Sequence, residues 1–550
     1  MATQLHCCPE CRATKFHHPV AEFCRTLMSI LVLISLYGTR FCNGLPLEPF
    51  GYVSIDCGGV GGYNDNFTGL AWVGENDYLE SYHDLRSANL TSSIVLMQDS
   101  NSTIRDNVKQ LETARIFNFS SAFTRYCYNF NLSLSNKNST VYLVRAMFPS
   151  LLSVSDSEQP RIVVDTSYLE VPYRPEPSYE PLTIELLATA SDDSMNVCLT
   201  PDNARFTDTG IVAISSLELR SVPETLYPVL IHGKVDADGR VVQDTFNYYV
   251  TQARLNFGGD ESSPGIRYPS DKYDRLWYAA PRGDRQSRNI PVSSIYGLDK
   301  FNVKSIKGST VPNISPEDDL FQVPLAVSTS ALEGVDSTSN ISFQLDNLYY
   351  YGSTYCLSIV LFDVDADENR SRIVNIYNQD YNYFSQNYSG PWQWILQDSE
   401  VPKTQTNIWS DRAFKFIGSP DTTFEILPAA NSARPVMVNA LELYAVVENV
   451  PLKTNPWDVS KVQILRDKLP VSGKSFGDPC LPVPWEWIKC DLELRVIVEI
   501  NLGSWGLQGS LGEDFKFPWV LTVLDLSNNR LNGTLPRSLG ISSFNGAAKM

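Results

Sequence analysis

From Phe50 to about Val450 the chain is written in short apolar runs, each cut off by Gly, Pro, Asn or Asp. Ile211-Val-Ala-Ile-Ser-Ser-Leu-Glu-Leu-Arg220, Val141-Tyr-Leu-Val-Arg-Ala-Met-Phe148 and Tyr355-Cys-Leu-Ser-Ile-Val-Leu-Phe362 are typical, and few stretches keep a spacing of three to four. Runs of this length and texture predict strands rather than helices. Many short strands separated by turns bury their apolar faces by packing sheet on sheet, so an antiparallel sandwich is the expected architecture.

The same region repeats itself weakly. Ser216-Leu-Glu-Leu-Arg220 closes a first half as Ala440-Leu-Glu-Leu-Tyr444 closes a second. Val53-Ser-Ile-Asp-Cys-Gly58 opens the first as Arg254-Leu-Asn-Phe-Gly-Gly259 opens the second. The period, roughly 200 residues, suits one sandwich each, with the break expected around Tyr227 to Thr251.

After Pro451 the texture changes. Asn455-Pro-Trp-Asp458 predicts a helix through Leu469, with Asn455 or Asp458 as its cap. Ile500-x-Leu502-x-x-Trp505-x-Leu507-x-Gly509-x-Leu511 then superposes, at an offset of 24, on Leu524-x-Leu526-x-x-Asn529-x-Leu531-x-Gly533-x-Leu535-Pro536. This is the leucine-rich repeat spacing, in which leucines line a narrow core beneath a short strand and an Asn satisfies the turn. Asn529 fits that role and Trp505 does not. Two repeats are fewer than independent stability usually needs, so they are expected to lean on what precedes them.

The amino terminus carries an uncharged, mostly apolar run, Thr26 to Gly38, preceded by Arg12, Lys15 and Arg25 and followed by Cys42-Asn43-Gly44. It reads as a secretory signal over 1–44, cleaved or kept as an anchor. Six cysteines follow it: Cys57, Cys127, Cys198, Cys356, Cys480 and Cys490. An even number suits an oxidising compartment, and spacing alone proposes only the Cys480/Cys490 pair. Eleven glycosylation sequons also follow, at Asn66, Asn89, Asn101, Asn118, Asn131, Asn138, Asn313, Asn340, Asn369, Asn387 and Asn532. Together they predict a glycoprotein, secreted or on the outer face of the plasma membrane.

A formal charge of -18 would repel a phosphate backbone, which removes the usual driving force for nucleic-acid binding. Five histidines, three of them in the first forty residues, supply general-base or metal chemistry poorly. No G-x-S-x-G, H-E-x-x-H or phosphate-cradling glycine loop occurs, and Gly58-Gly59 with Gly61-Gly62 reads as a turn. No cofactor, metal or enzymatic activity is expected, although a glycosidase's carboxylate pair would leave no sequence signature. Asp363-x-Asp365-x-Asp367 resembles the opening of a calcium loop. Glu368 stands where that loop needs glycine and Val374 where it needs glutamate, so an acidic solvated loop is the expectation.

Several motifs together resemble the plant malectin-like domain: Gly51-Tyr-Val-Ser-Ile-Asp-Cys-Gly58, Thr68-Gly-Leu-Ala-Trp72, Asp77-Tyr78, Tyr126-Cys-Tyr128 and Tyr142-Leu-Val-Arg-Ala-Met-Phe148. Arg267-Tyr-Pro-Ser-Asp-Lys-Tyr-Asp-Arg-Leu-Trp277 is similar to that family's mid-domain signature, and Val438-Asn-Ala-Leu-Glu-Leu-Tyr444 to its closing strand. Gly477-Asp-Pro-Cys480 with Trp485-Glu-Trp487 and Cys490 resembles the cysteine cap that joins such domains to leucine-rich repeats in receptor-like kinases. The resemblance implies a mainly β chain of two tandem malectin-like, jelly-roll sandwiches at 45–235 and 236–450. A helix and cysteine cap would follow at 451–495, and a short α/β segment of two leucine-rich repeats at 496–550. It implies ligand sensing without catalysis, for cell-wall carbohydrate or for peptide and receptor-kinase partners. No membrane span or kinase follows the repeats in this sequence, so a soluble receptor-like protein or a shortened receptor product is the expectation.

Sugar recognition needs aromatic faces for C–H surfaces, with amides or carboxylates beside them for hydroxyls. Tyr63, Trp72, Tyr78 and Tyr82 with Asp65 and Asp77 offer both, and are the candidate ligand residues. Core packing competes for the same aromatic rings. The alternative is a protein-interaction or co-receptor module that uses the repeats as its contact face.

Overall fold

The structure is a computed structural model of the chain. It describes residues 51–59, 62–75, 78, 94–96, 109–119, 125–132, 141–148, 160–170, 182–190, 194–201, 210–223, 231–235, 241–259, 265–280, 292–296, 301–305, 330–336, 338–345, 354–361, 363, 370–379, 393–401, 414–417, 422–450, 452–469, 471, 477–539 and 547–549. The chain divides into two units, Met1–Pro49 and Phe50–Met550, and the expected signal segment lies outside the described residues.

The apolar runs form strands, as their periodicity predicts. A 12-stranded sheet runs in the order Tyr63–Asn64, Ala71–Gly74, Val53–Asp56, Ser216–Val222, Val141–Phe148, Leu182–Thr189, Val241–Asn256, Ala440–Val450, Thr354–Val360, Phe414–Ile417. Ile231–Val235 and Tyr278–Ala279 pair with its long strand Val241–Asn256. Smaller antiparallel sheets accompany each half, including Tyr126–Asn131 with Ser194–Pro201, Pro160–Val164 and Ser167–Glu170. One apolar core joins the layers: Val144 and Leu186 of the large sheet cluster with Tyr128, Ile162 and Leu199, and Leu441 and Leu443 with Phe424 and Ile426.

The internal repeat is visible as register. Val53–Asp56 opposes Leu219–Ser216 antiparallel and pairs in parallel with Val73 and Gly74. In the second half Ala253–Asn256 opposes Leu443–Ala440 antiparallel and pairs in parallel with Tyr278 and Ala279. Glu218 and Glu442 therefore occupy equivalent places, as do Asp56 and Asn256. The expected break falls within the sheet: Ile231–Val235 pairs with Val241–Asn256, which hydrogen-bonds to Leu186 and Leu187 on one side and to Ala440–Val450 on the other.

The second core lies beyond Pro451. The helix Pro456–Lys468 begins where expected; Asn455 is its cap, accepting from Trp457 N at 2.9 Å, while Asp458 is buried and accepts from Ile497 N at 2.9 Å. Val462 and Leu465 pack with Trp485, Trp487, Ile500 and Leu524. The strands Val496–Asn501 and Val523–Asp525 run parallel with Ile500 beside Leu524, which is the 24-residue offset of the sequence expressed as strand pairing. Asn529 serves the turn from the inside: its Nδ2 donates to Leu502 O at 2.8 Å and Leu526 O at 2.9 Å, and its Oδ1 accepts from Leu507 N at 2.9 Å. No described helix is long and apolar enough to cross a membrane.

Among the described residues two disulfides form, Cys480–Cys490 and Cys127–Cys198, while Cys57 and Cys356 are buried thiols.

Candidate functional site

Tyr63 and Trp72 sit opposite one another on the paired strands Tyr63–Asn64 and Ala71–Gly74, and their rings stack at 6.4 Å with an interplanar angle of 6°. The ammonium of Lys109 lies 3.9 Å from the Tyr63 ring centre, so Tyr63 is sandwiched between a cation and an indole. Trp72 is only 2% exposed, which leaves it almost no face for a sugar. It is a packing residue, on a strand held between Tyr63–Asn64 at the sheet edge and Val53–Asp56. Tyr78 is half-buried and packs on Phe130 at 5.7 Å. Asp65 closes the turn, its Oδ2 accepting from Thr68 N at 2.7 Å and from the Thr68 hydroxyl at 2.6 Å. Asp77 and Tyr82 lie outside the described residues. The structure thus brings Tyr63 and Trp72 together, gives Asp65 a turn to hold, and turns Tyr78 toward the core.

Beneath Tyr63 lies Asp56, whose carboxylate accepts from the Thr113 hydroxyl at 3.0 Å. Burial pushes its pKa up to about 6, even though that hydrogen bond and the Lys109 charge oppose the shift. Gly59 is required here, since a Cβ would stand 2.5 Å from the Asp56 carboxyl carbon, and Gly58 at φ +80° has the Ala114 carbonyl 2.8 Å from where its Cβ would be. The Tyr63 hydroxyl faces the Asp56 carboxylate and Gln110, while Trp72 Nε1 finds no hydrogen-bond partner among the described residues. Nearby Glu75 is buried, paired with Arg115 and accepting from the Tyr128 hydroxyl at 3.2 Å.

Two expected outcomes arise from this geometry. Trp72→Ala should cost about 3–5 kcal/mol of stability, seen as a lowered denaturant midpoint, as for any large buried aromatic side chain. Asp56 has a folded pKa above the ordinary value of about 4, so its stabilising contribution is complete below that pH and is lost as pH rises through about 6. Asp56→Asn should therefore flatten the stability curve across that interval, and parallel curves for the two proteins would refute the assignment. The second half already carries Asn256 in the equivalent place.

The largest polar cluster is one that sequence reading missed. Arg145, Arg220, Arg254, Arg267 and Arg275 meet Glu185, Glu218, Asp271, Asp274 and Glu442 on one face of the large sheet, beneath the segment 265–280. Arg145 reaches Glu185 at 2.8 Å, Glu218 at 3.1 Å and Asp274 at 3.3 Å. Arg254 pairs with Glu185 of the first half and, at 2.7 Å, with Glu442 of the second. Asp271 accepts from Arg275 at 2.9 Å and from Trp277 Nε1 at 2.7 Å. Five cations against five anions, each hydrogen-bonded, make a neutral buried seam joining the halves. Asp363, expected in a solvated acidic loop, is likewise buried and pairs with Arg434 at 2.9 Å, because Arg372 and Arg434 are folded in beside it. Asp365 and Asp367 lie outside the described residues. No cluster of metal-binding side chains occurs among the described residues.

Of the sequon asparagines, Asn66, Asn131 and Asn532 are exposed, Asn340 is half-buried and Asn118 lies in the strand Thr113–Phe119. Asn89, Asn101, Asn138, Asn313, Asn369 and Asn387 lie outside the described residues.

The profile of the family described as "Malectin-like domain" matches residues 55–446. A probable leucine-rich-repeat receptor-like serine/threonine-protein kinase of Arabidopsis thaliana is 25% identical over 503 residues, covering 88% of this chain and 46% of the relative. The nodulation receptor kinase of Pisum sativum is 24% identical over 510 residues, covering 88% and 45%. The chain thus spans about half the length of the curated relatives it matches. Among solved structures, the ANXUR2 extracellular domain from Arabidopsis thaliana is similar with a TM-score of 0.47 at 14% identity, over 72% of this chain and 96% of that one. A chain from the complex of the plant peptide RALF23 with FER and LLG2 is similar with a TM-score of 0.46 at 16% identity, over 74% and 96%.

Proposed function

The chain belongs to the malectin-like family, and from that membership we propose that it is a non-catalytic, extracellular recognition module of receptor type that engages peptide or receptor partners. In this reading 45–235 and 236–450 are tandem malectin-like sandwiches, 451–495 is the helix and cysteine cap, and 496–550 carries two leucine-rich repeats. The segment 1–44 directs the chain to the secretory pathway, and the sequons carry glycans. The observation that supports it most is the long match to receptor-like kinases, which takes in 88% of this chain and only 46% of the Arabidopsis relative.

The test is expression of the full chain in plant cells, followed by interferometry against isolated receptor-kinase ectodomains. Recovery from extracellular fluid, a mass loss on endoglycosidase treatment and saturable binding to at least one ectodomain are expected. A cytosolic, unglycosylated chain that binds none would sink the reading.

Cell-wall glycan is the second reading, favoured by one observation: the Tyr63 ring under Lys109, with the Trp72 Nε1 beside it lacking a partner among the described residues. A glycan would lie on Tyr63, with Asp77 and Tyr82, over a supporting Trp72, while Asp65 holds the turn and Tyr78 packs toward the core. Glycan-array binding lost in Tyr63→Ala with an unchanged melting temperature would establish it, and a silent array would remove it.

A further inference from the structure

Among the described residues, most of the exposed large apolar side chains lie beyond Pro451. Trp457, Ile464, Leu494, Trp519 and Val520 are 39%, 41%, 62%, 73% and 46% exposed, all beyond Pro451. Two of them touch. Trp457 and Trp519 meet edge to face at 5.8 Å, Ile464 is two turns along the same helix face, and the turn bearing Leu494 is tied to the helix cap by Asn455 N donating to Arg495 O at 2.8 Å. Trp457 projects from the first turn of a helix whose buried side, carrying Asp458, Val462 and Leu465, lies about 100° around the axis, so its exposure follows from helix phase. An exposed tryptophan pair is unusual on a surface and common at the centre of protein interfaces.

One charge marks what would cover it. Lys461 holds its ammonium 4.0 Å from the Trp457 ring centre and pairs with no carboxylate among the described residues. Several other cations beyond Pro451 are occupied: Arg466 with Asp467, Lys489 with Glu499, Arg537 with Glu513, and Lys468 with the Leu511 carbonyl. A bilayer of anionic lipid and a second copy of a chain carrying -18 would both be repelled at long range.

We propose that the face formed by Trp457, Trp519 and Lys461 docks a polypeptide segment of a partner protein, which lays an apolar or aromatic side chain on Trp519 and sets an adjacent carboxylate against Lys461. This rests on the recognition-module reading and names the contact surface within it. Trp519 supplies the desolvated anchor and Lys461 the sign of the partner's charge. Salt therefore weakens the charge preference more than the anchor.

The test pans a random displayed-peptide library on the full chain. Selected peptides are expected to share an apolar residue with Asp or Glu close by. They should bind Trp519→Ala or Trp457→Ala about 30-fold more weakly, the loss that follows from removing an interface anchor. Panning on Lys461→Glu should return Lys or Arg in place of the acids. All three side chains are exposed or rim the surface, so melting temperatures should not move. The proposal is overturned if selected peptides bind Trp519→Ala like the parent, or if Lys461→Glu leaves the selected charge unchanged. It is equally overturned if the substitutions abolish self-association in sedimentation, or binding to vesicles of phosphatidylcholine with phosphatidylserine, while leaving peptide binding intact. Failure of export or glycosylation, by contrast, would sink the functional reading without touching the peptide result.

Discussion

Asp274→Ala is expected to lower stability by about 3–5 kcal/mol, because it breaks a buried ion cluster by removing one partner and leaving the others charged. Asp274 is fully buried. Its carboxylate takes Arg267 at 2.6 Å, Arg220 at 2.7 Å and Arg145 at 3.3 Å, and its Oδ1 also accepts from Tyr268 N at 3.1 Å. Without it three guanidinium groups would share Glu218 and Glu185. The loss would appear as a drop in the urea midpoint and as faster amide exchange in 265–280, whereas breaking the exposed Arg537–Glu513 pair should do neither.

Acid should act on the same seam. Burial alone would raise the pKa values of Asp274, Glu218 and Glu185, but the facing guanidiniums of Arg267, Arg220, Arg145 and Arg254 outweigh it and hold all three below the usual carboxylate range. A lowered folded pKa means that the stabilisation is complete above the ordinary value of about 4 and disappears as pH falls further. Wild-type stability should therefore drop steeply below that pH, and less steeply in Asp274→Asn. Equal slopes would show that the seam does not behave as a set of ion pairs.

That seam explains how far the sequence could be read. Strand positions, the helix start at Asn455, the 24-residue offset and the Cys480/Cys490 pair were all legible, because each follows from local periodicity or spacing. Arg145, Glu218 and Arg220 were not. In Val141–Phe148 and Ser216–Val222 they occupy polar positions of alternating strands, and such positions ordinarily face water. Here nearly every residue of both strands is buried, because the segment 265–280 lies over the outer face. The usable signal was present in the Arg267 to Trp277 motif, which carries two arginines and two aspartates, but its partners sit on strands far off in sequence. The candidate ligand residues failed to separate for a related reason: Trp72 and Tyr78 have the composition of a sugar platform, and only the third dimension shows their rings turned toward the core.

Removing the Cys127–Cys198 disulfide should cost about 4 kcal/mol on the chain-entropy model, against about 3 kcal/mol for the shorter loop closed by Cys480–Cys490. The longer bridge spans 71 residues, and its cysteines face each other across Tyr126–Asn131 and Ser194–Pro201. It also forms the floor on which the helix and cysteine cap rests. Gly477, at φ +69°, passes so close that a Cβ there would stand 3.2 Å from the Cys127 sulfur and 3.1 Å from that of Cys198. Arg125 then reaches over to donate to Leu481 O at 2.8 Å and Val483 O at 2.9 Å, while Lys453 donates to Ser194 O at 2.8 Å. The loss of the bridge should therefore be felt in the cap, with faster amide exchange across 477–488 as well as a lower midpoint. Gly477→Ala keeps the disulfide but adds a carbon against the sulfurs in a left-handed conformation, so it should produce the same local change in exchange with a smaller fall in stability. If exchange in the cap is unaffected by either substitution, the first half and the cap are only neighbours, and the docking of one on the other carries no energy.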